Sequence, residues 1–153
     1  MKFLTVLLII ISSILMNKST VFAQSTQKPV LNHIAVYVND LQKSTDFYKN
    51  VIGLELMEEP FKDGKHTWFD MGVQGQFHLI SGAKKGLQQI KDRHICFSVA
   101  SIEQFIANLD KNAIDYTNWK GDSKIPTLRV DGVKQIYFQD PDGYWIEVNN
   151  DKQ

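Results

Sequence analysis

The chain is poor in three things, and each absence narrows what it can be. It holds one cysteine, Cys96, among 153 residues, so no intrachain disulfide can staple the fold and packing must supply its stability. It has no charge excess, with 17 Lys and Arg against 17 Asp and Glu. Its one basic cluster, Lys84, Lys85, Lys91 and Arg93, reads as a solvated loop, and the broad basic face that nucleic acid demands is missing. It also lacks a long apolar run. The longest, Phe3 to Met16, is interrupted only by Thr5, Ser12 and Ser13, and it falls short of the about 20 residues a bilayer-spanning helix needs.

Lys2 ahead of that run and Val21-Phe22-Ala23 behind it instead form the pattern of a secretory signal peptide, residues 1–23, cleaved after Ala23. No cysteine lies near the junction, which excludes a lipid-anchored product. The expectation is an exported protein, periplasmic or secreted, with no membrane partner after cleavage. Residues 24–153 then carry 15 basic and 17 acidic side chains, and their length suits a single domain with a full core. A short polar tether, 24–29, precedes that domain.

What the chain does have is a repeated pattern. LNHIAVYVNDLQKSTDFYKNVIGLEL starts at Leu31 and DRHICFSVASIEQFIANLDKNAIDY at Asp92. Each opens with a histidine entering an alternating strand, His33 and His94, 61 positions apart. Each then runs into an amphipathic helix and closes on a strand carrying a further metal-binding side chain, His78 or Glu147. In the first copy Asp40 predicts an N-cap, Leu41, Tyr48, Val51 and Ile52 a buried stripe, and Gly53 the stop of a helix ending near Ile52. Ser101 and Gln104 predict a capping box for the second helix. Strands are expected around 55–58, 65–71 and 76–81, then around 115–119, 133–139 and 144–149, with Asp140-Pro141-Asp142-Gly143 as the last turn. The fold class is therefore α+β: two βαβββ modules, about 30–82 and 92–150, joined by a glycine- and lysine-rich linker at about 83–91 and paired as a curved, barrel-like mixed sheet around a central cavity.

Strand parity puts His33, Ala35 and Tyr37 on one face and Ile34, Val36 and Val38 on the other. The second copy repeats it, with His94, Cys96 and Ser98 opposite Ile95, Phe97 and Val99. On the closing strands Gln76 and His78 share one face, as do Trp145, Glu147 and Asn149. Each histidine taken singly reads as an ordinary hydrogen-bonded strand residue. The matched positions and common parity of His33, His78, His94 and Glu147 point instead to one metal site, since a glutamate on a half-apolar strand needs a partner. Imidazoles with a carboxylate suit Zn, Ni, Co, Fe or Mn better than calcium. Tyr37, Gln76, Cys96 and Trp145 are candidate substrate-pocket residues. His66, outside the matched positions, reads as a strand or loop residue.

HIAVYVNDLQKSTDFYKNVIGLEL, RHICFSV and above all FQDPDGYWIEV resemble the vicinal oxygen chelate superfamily, and within it glyoxalase I, over about Val30 to Asn150. The resemblance implies βαβββ modules around one divalent metal, with ligands falling on His33, His78, His94 and Glu147, and Glu147 and His78 as catalytic groups. It departs from glyoxalase I at His78, where that family usually places a glutamate implicated in proton transfer. His33, His94 and Glu147 alone match the two-histidine, one-carboxylate set of related extradiol dioxygenases and fosfomycin-resistance enzymes. The expected function is a metal-dependent lyase or isomerase of glyoxalase I type, similar to lactoylglutathione lyase, acting on a small substrate that chelates through oxygen. The alternatives are an Fe(II) extradiol-type dioxygenase and a non-enzymatic binding protein for a drug or metabolite. The modules pair either within one chain or across a homodimer.

Overall fold

Residues 28–86 and 88–152 are described from a computed structural model; the expected signal segment lies outside them. Leu31–Gln153 form one unit, distinct from Met1–Val30. The order is β1 (His33–Val38), α1 (Leu41–Phe47) continuing as a π-helical turn (Tyr48–Ile52), β2 (Glu55–Met57), β3 (His66–Asp70), a 3₁₀ turn (Gly72–Gln74) and β4 (Gln76–Ser81). The second module repeats it as β5 (His94–Ser98), α2 (Ile102–Lys111), β6 (Thr127–Leu128), β7 (Lys134–Gln139) and β8 (Trp145–Asn149).

Each module makes its own four-stranded sheet, ordered β1-β4-β3-β2 and β5-β8-β7-β6. The first and last strands of each module pair in parallel, and the other neighbours pair antiparallel. The parallel pairing places the opening histidine of each module beside its closing ligand strand: Ala35 faces His78 and Cys96 faces Glu147 in register. The sheets are not closed into the expected barrel-like arrangement, because no ladder joins β1 to β5.

The helices form where the sequence places their caps. Asp40 accepts from the Lys43 N–H at 3.1 Å and Ser101 from the Gln104 N–H at 3.2 Å, each satisfying a donor that has no partner within the helix. Gly53, at φ 88°, ends the first helical segment in the left-handed region, as a C-terminal glycine does without a Cβ penalty. The expected strand at 115–119 shrinks to a single bridge, Thr117 to Tyr137. Asn118 diverts the chain there, its side-chain oxygen accepting from the N–H groups of Gly121 and Asp122, and an Asx turn of this kind competes with a ladder.

The oily backs of both sheets share one core. Val36, Val38, Phe69, Phe77 and Leu79 from the first module join Ile136, Phe138, Ile146 and Val148 from the second. Burying each such side chain stabilises the fold by about 1.5–3 kcal/mol. A polar lock, buried at Tyr48 and Asp140, ties the modules at the expected turn. Tyr48 Oη donates to Asp140 at 2.8 Å, Ser44 Oγ donates to Asp142 at 2.8 Å, and the Asn39 N–H donates to the same carboxylate at 2.7 Å. Burial raises the Asp140 pKa above the ordinary aspartate range, against the lowering effect of its hydrogen bonds from Tyr48 and the turn backbone. Sharing the core through their backs leaves the fronts of β1 and β5 uncovered, so that His33, Ala35, Tyr37, His94, Cys96 and Ser98 are all exposed.

Candidate metal centre

The second module presents the more complete half of a site. Backbone pairing stands Glu147 on β8 between β5 and β7, and its carboxylate is buried under a set of donors. Oε1 accepts from Gln135 Nε2 at 2.6 Å, Asn149 Nδ2 at 2.9 Å and Cys96 Sγ at 3.3 Å, while Oε2 accepts from Tyr137 Oη at 2.6 Å. Burial alone would raise its pKa, but the bonds from Tyr137, Asn149, Gln135 and Cys96 outweigh it and hold the carboxyl below the usual glutamate range. Glu147 is thus a preformed anion. Its neighbours shift the opposite way. Burial and the Glu147 charge raise the Tyr137 pKa and push the Cys96 thiol up to about 12, so both stay protonated near neutral pH, Cys96 as a weak donor and not a nucleophile.

His94 completes this half. Its Nδ1 lies 2.8 Å from the Lys91 carbonyl oxygen, which can only accept, so Nδ1 carries a hydrogen and Nε2 is the nitrogen left to bind. That Nε2 stands 3.2 Å from Glu147 Oε2. A neutral imidazole would set two lone pairs against each other there, so the pair needs a cation between them, either a proton or a metal ion. The donor chemistry of His94 and Glu147 therefore fits a borderline divalent metal.

The first module presents a different half. His78 is buried between Trp68, stacked at 4.0 Å and 4°, and His33, at 4.5 Å and 11°. An imidazole lone pair lies in the ring plane, so two nearly parallel rings so placed cannot both direct nitrogen at one ion. His33 is the better presented, since Asn32 Oδ1 engages its Nδ1 at 2.8 Å and leaves Nε2 open. His78 Nε2 is instead occupied by Gln76 Oε1 at 2.8 Å. Burial first, then the charges of His33 and His66, lower the His78 pKa and favour its neutral form. Trp68 Nε1 is buried with no hydrogen-bond partner among the described residues, a cost of about 1–3 kcal/mol.

The structure thus brings His33 to His78 and His94 to Glu147. Among the described residues, no three His, Cys, Asp or Glu side chains gather as a metal-binding group within the chain. Of the expected pocket residues, Gln76 and Cys96 touch the two halves directly. Trp145 binds the Gln89 carbonyl through Nε1 at 3.2 Å. Tyr37 stays about half exposed, at 49%, and its carbonyl accepts from Tyr144 Oη at 3.1 Å. His66, two residues before Trp68 on β3, engages Asp63 instead, its Nδ1 3.0 Å from that carboxylate.

Sequence reading missed Trp68, Gln135, Tyr137 and Lys91. The first three follow from β3 and β7 once their register is known, for Trp68 lies opposite His78 and Tyr137 opposite Glu147. Lys91 is no solvated loop residue: it is half-buried, and desolvation lowers its pKa.

A sequence profile of the glyoxalase/bleomycin resistance protein/dioxygenase superfamily matches residues 30–148. The chain belongs to this superfamily. It is 30% identical over 131 residues to Glyoxylase I 4 of Arabidopsis thaliana, covering 78% of this chain and 70% of that protein. It is 29% identical over 127 residues to the metallothiol transferase FosB of Lysinibacillus sphaericus, covering 78% and 80% of the two chains. Among solved structures, a glyoxalase family protein from Bacillus anthracis superposes with a TM-score of 0.64 at 23% identity, over 82% of this chain and 98% of that one, a likeness of fold. Glyoxalase-superfamily members include enzymes with different reactions, so the reaction here has to be argued from the two half-sites.

Proposed function

We propose that the chain is a divalent-metal-dependent lyase or isomerase of glyoxalase I type, acting on a small substrate that chelates through two oxygens, with its site completed between two copies of the chain. The carrying observation is the His94–Glu147 pair, a tautomer-fixed imidazole facing a preformed carboxylate at 3.2 Å. His33 of one copy with His94 and Glu147 of the other would hold the ion, and His78 would stand beside it. The uncovered fronts of β1 and β5 support this assembly, because a two-fold axis between copies would close both halves at once.

When bound, the ion would supply Lewis acidity to the substrate oxygens. The chain's own groups do the rest. Tyr137, Gln135 and Asn149 keep Glu147 ionised and oriented. His78, neutral and wedged between Trp68 and His33, can accept a proton at the ring nitrogen that Gln76 leaves open.

The experiment is a metal analysis of purified protein followed by assays with methylglyoxal plus a thiol, and with catechol. One bound divalent ion per chain and consumption of the hemithioacetal are expected. Consumption of catechol alone would move the reading to the dioxygenase. Absence of divalent-metal binding in calorimetry would leave a binding protein. His78→Glu restores the carboxylate usual in glyoxalase I; it should keep the metal and raise isomerase turnover by about a hundredfold or more, the range of one positioned general base.

Export belongs to the same proposal. The apolar run and Val21-Phe22-Ala23 support cleavage before Gln24, and an intact mass of the cell-derived protein beginning at Met1 would overturn it.

A further inference from the structure

Three cations on or beside the second sheet are matched by acids, and the half-buried Lys91 is not. Arg129 is held by Asp131 and Asp151, Lys134 by Glu103 and Lys124 by Asp115. Lys91 has no carboxylate within ion-pair distance among the described residues. Its Nζ donates to two neutral carbonyl oxygens, Asn118 at 3.2 Å and Trp119 at 3.0 Å. It lies over the faces of Trp145, 4.6 Å from the ring centroid, and Tyr137, at 5.6 Å. An ammonium has three N–H donors, so one donor is left over, and the charge has no anionic partner among the described residues. Ring faces offset only part of that charge, about 0.5–2 kcal/mol.

Position makes this more than a loop staple. Tyr137, under the ammonium, donates to Glu147, and the Lys91 carbonyl fixes the tautomer of His94. One residue thus orients a candidate ligand with its backbone and sets a positive charge one aromatic ring away from that ligand pair with its side chain. Glu147, the buried carboxylate nearest this point, takes its hydrogen bonds from the neutral donors Gln135, Asn149 and Tyr137. A group entering beside Tyr137 and Trp145 therefore meets a lone, half-buried cation with a free donor.

We propose that Lys91 is an oxyanion subsite, taking a carboxylate or phosphate-type group at the far end of a substrate whose near end reaches His94 and Glu147. The assignment of the anion to a substrate rests on the function proposed above; the subsite itself does not. It selects acidic substrates over neutral ones of equal size, as a point-charge contact for an anion does.

The probe is inorganic phosphate, titrated into the full-length protein at constant ionic strength with chloride as control, with and without chelator, and read by tryptophan fluorescence, since Trp145 and Trp119 border the ammonium. Saturable binding is expected in wild type with or without chelator. Lys91→Met should weaken it about tenfold or more, and Lys91→Arg should keep it within about threefold, charge being the shared feature. Calorimetric metal affinity of Lys91→Met serves as the check on the fold of the site. No saturable phosphate binding in wild type, or equal binding by Lys91→Met, overturns the subsite. Its failure is separable from failure of the enzymatic reading. If turnover of the hemithioacetals of mercaptoacetate and of 2-mercaptoethanol shows the same preference in wild type and Lys91→Met, the enzyme stands and the subsite falls. If phosphate binds through Lys91 and neither hemithioacetal is consumed, the subsite stands and the reaction falls.

Discussion

Mixing His33→Ala with His94→Ala chains should restore about a quarter of the metal sites that each variant lacks alone, because random pairing around a two-fold axis makes half the dimers mixed and each mixed dimer holds one intact site. His33 stacks on His78 and His94 faces Glu147, and no larger group of ligand side chains forms within the described chain. If the ion lies between copies, one mixed site loses both histidines and the other keeps both. If it lies within a single chain, every site in a mixture is broken. Co-expression with two affinity tags, followed by metal analysis of the doubly tagged fraction, distinguishes these: half-occupancy of that fraction is expected, and none would place the ion within one chain. Glu147→Ala alone should abolish binding, since it removes the carboxylate and leaves the Tyr137, Gln135 and Asn149 donors facing an empty space.

Gly75→Ala should cost about 3 kcal/mol or more of stability and also disturb His33. Gly75 has φ 103° and ψ −139°, a region open essentially to glycine alone and worth about 1–3 kcal/mol of strain for another residue. A Cβ there would also lie 2.2 Å from the Asn32 carbonyl oxygen and 2.9 Å from its carbon, and this is backbone that cannot rotate away. That carbonyl accepts from the Gln76 N–H at 3.0 Å, the bond that starts the parallel pairing of β1 with β4. Pushing it aside moves the residue before His33. Chemical denaturation reads the stability loss, and weaker metal binding in the still-folded fraction reads the displacement of His33. A stability equal to wild type would mean that the close approach at Gly75 is not needed.

The back of the fold was legible in the sequence because period-2 alternation fixes which side chains face a core. Ile34, Val36 and Val38, with Ile95 and Phe97, lie on the inner face as their parity predicts, and the opposing parity puts His33, Cys96 and His94 outward. Asp40, Ser101 and Gly53 marked helix ends that the backbone uses, since a cap is a local hydrogen bond and leaves a local signature. The duplication was readable on the same ground and the superfamily from the resemblance of its motifs, whereas the parallel pairing of first with last strands came from the structure. The strand expected at 115–119 was not readable, because a side-chain oxygen on Asn118 competes with the ladder and alternation does not register that competition.

The sequence by itself determined the two modules, the face of each opening strand that its histidine takes, and the identity of four ligand-type side chains. Tertiary structure alone decided how those four are grouped. Parity states which face a side chain takes, but not what that face meets, and here the oily backs combine into one core and leave the fronts looking outward. It also decided the ring stacking of His78 between Trp68 and His33, the donors that keep Glu147 ionised, and the unmatched charge of Lys91. Each of these depends on residues brought together across strands and loops, at distances that no spacing along the chain encodes.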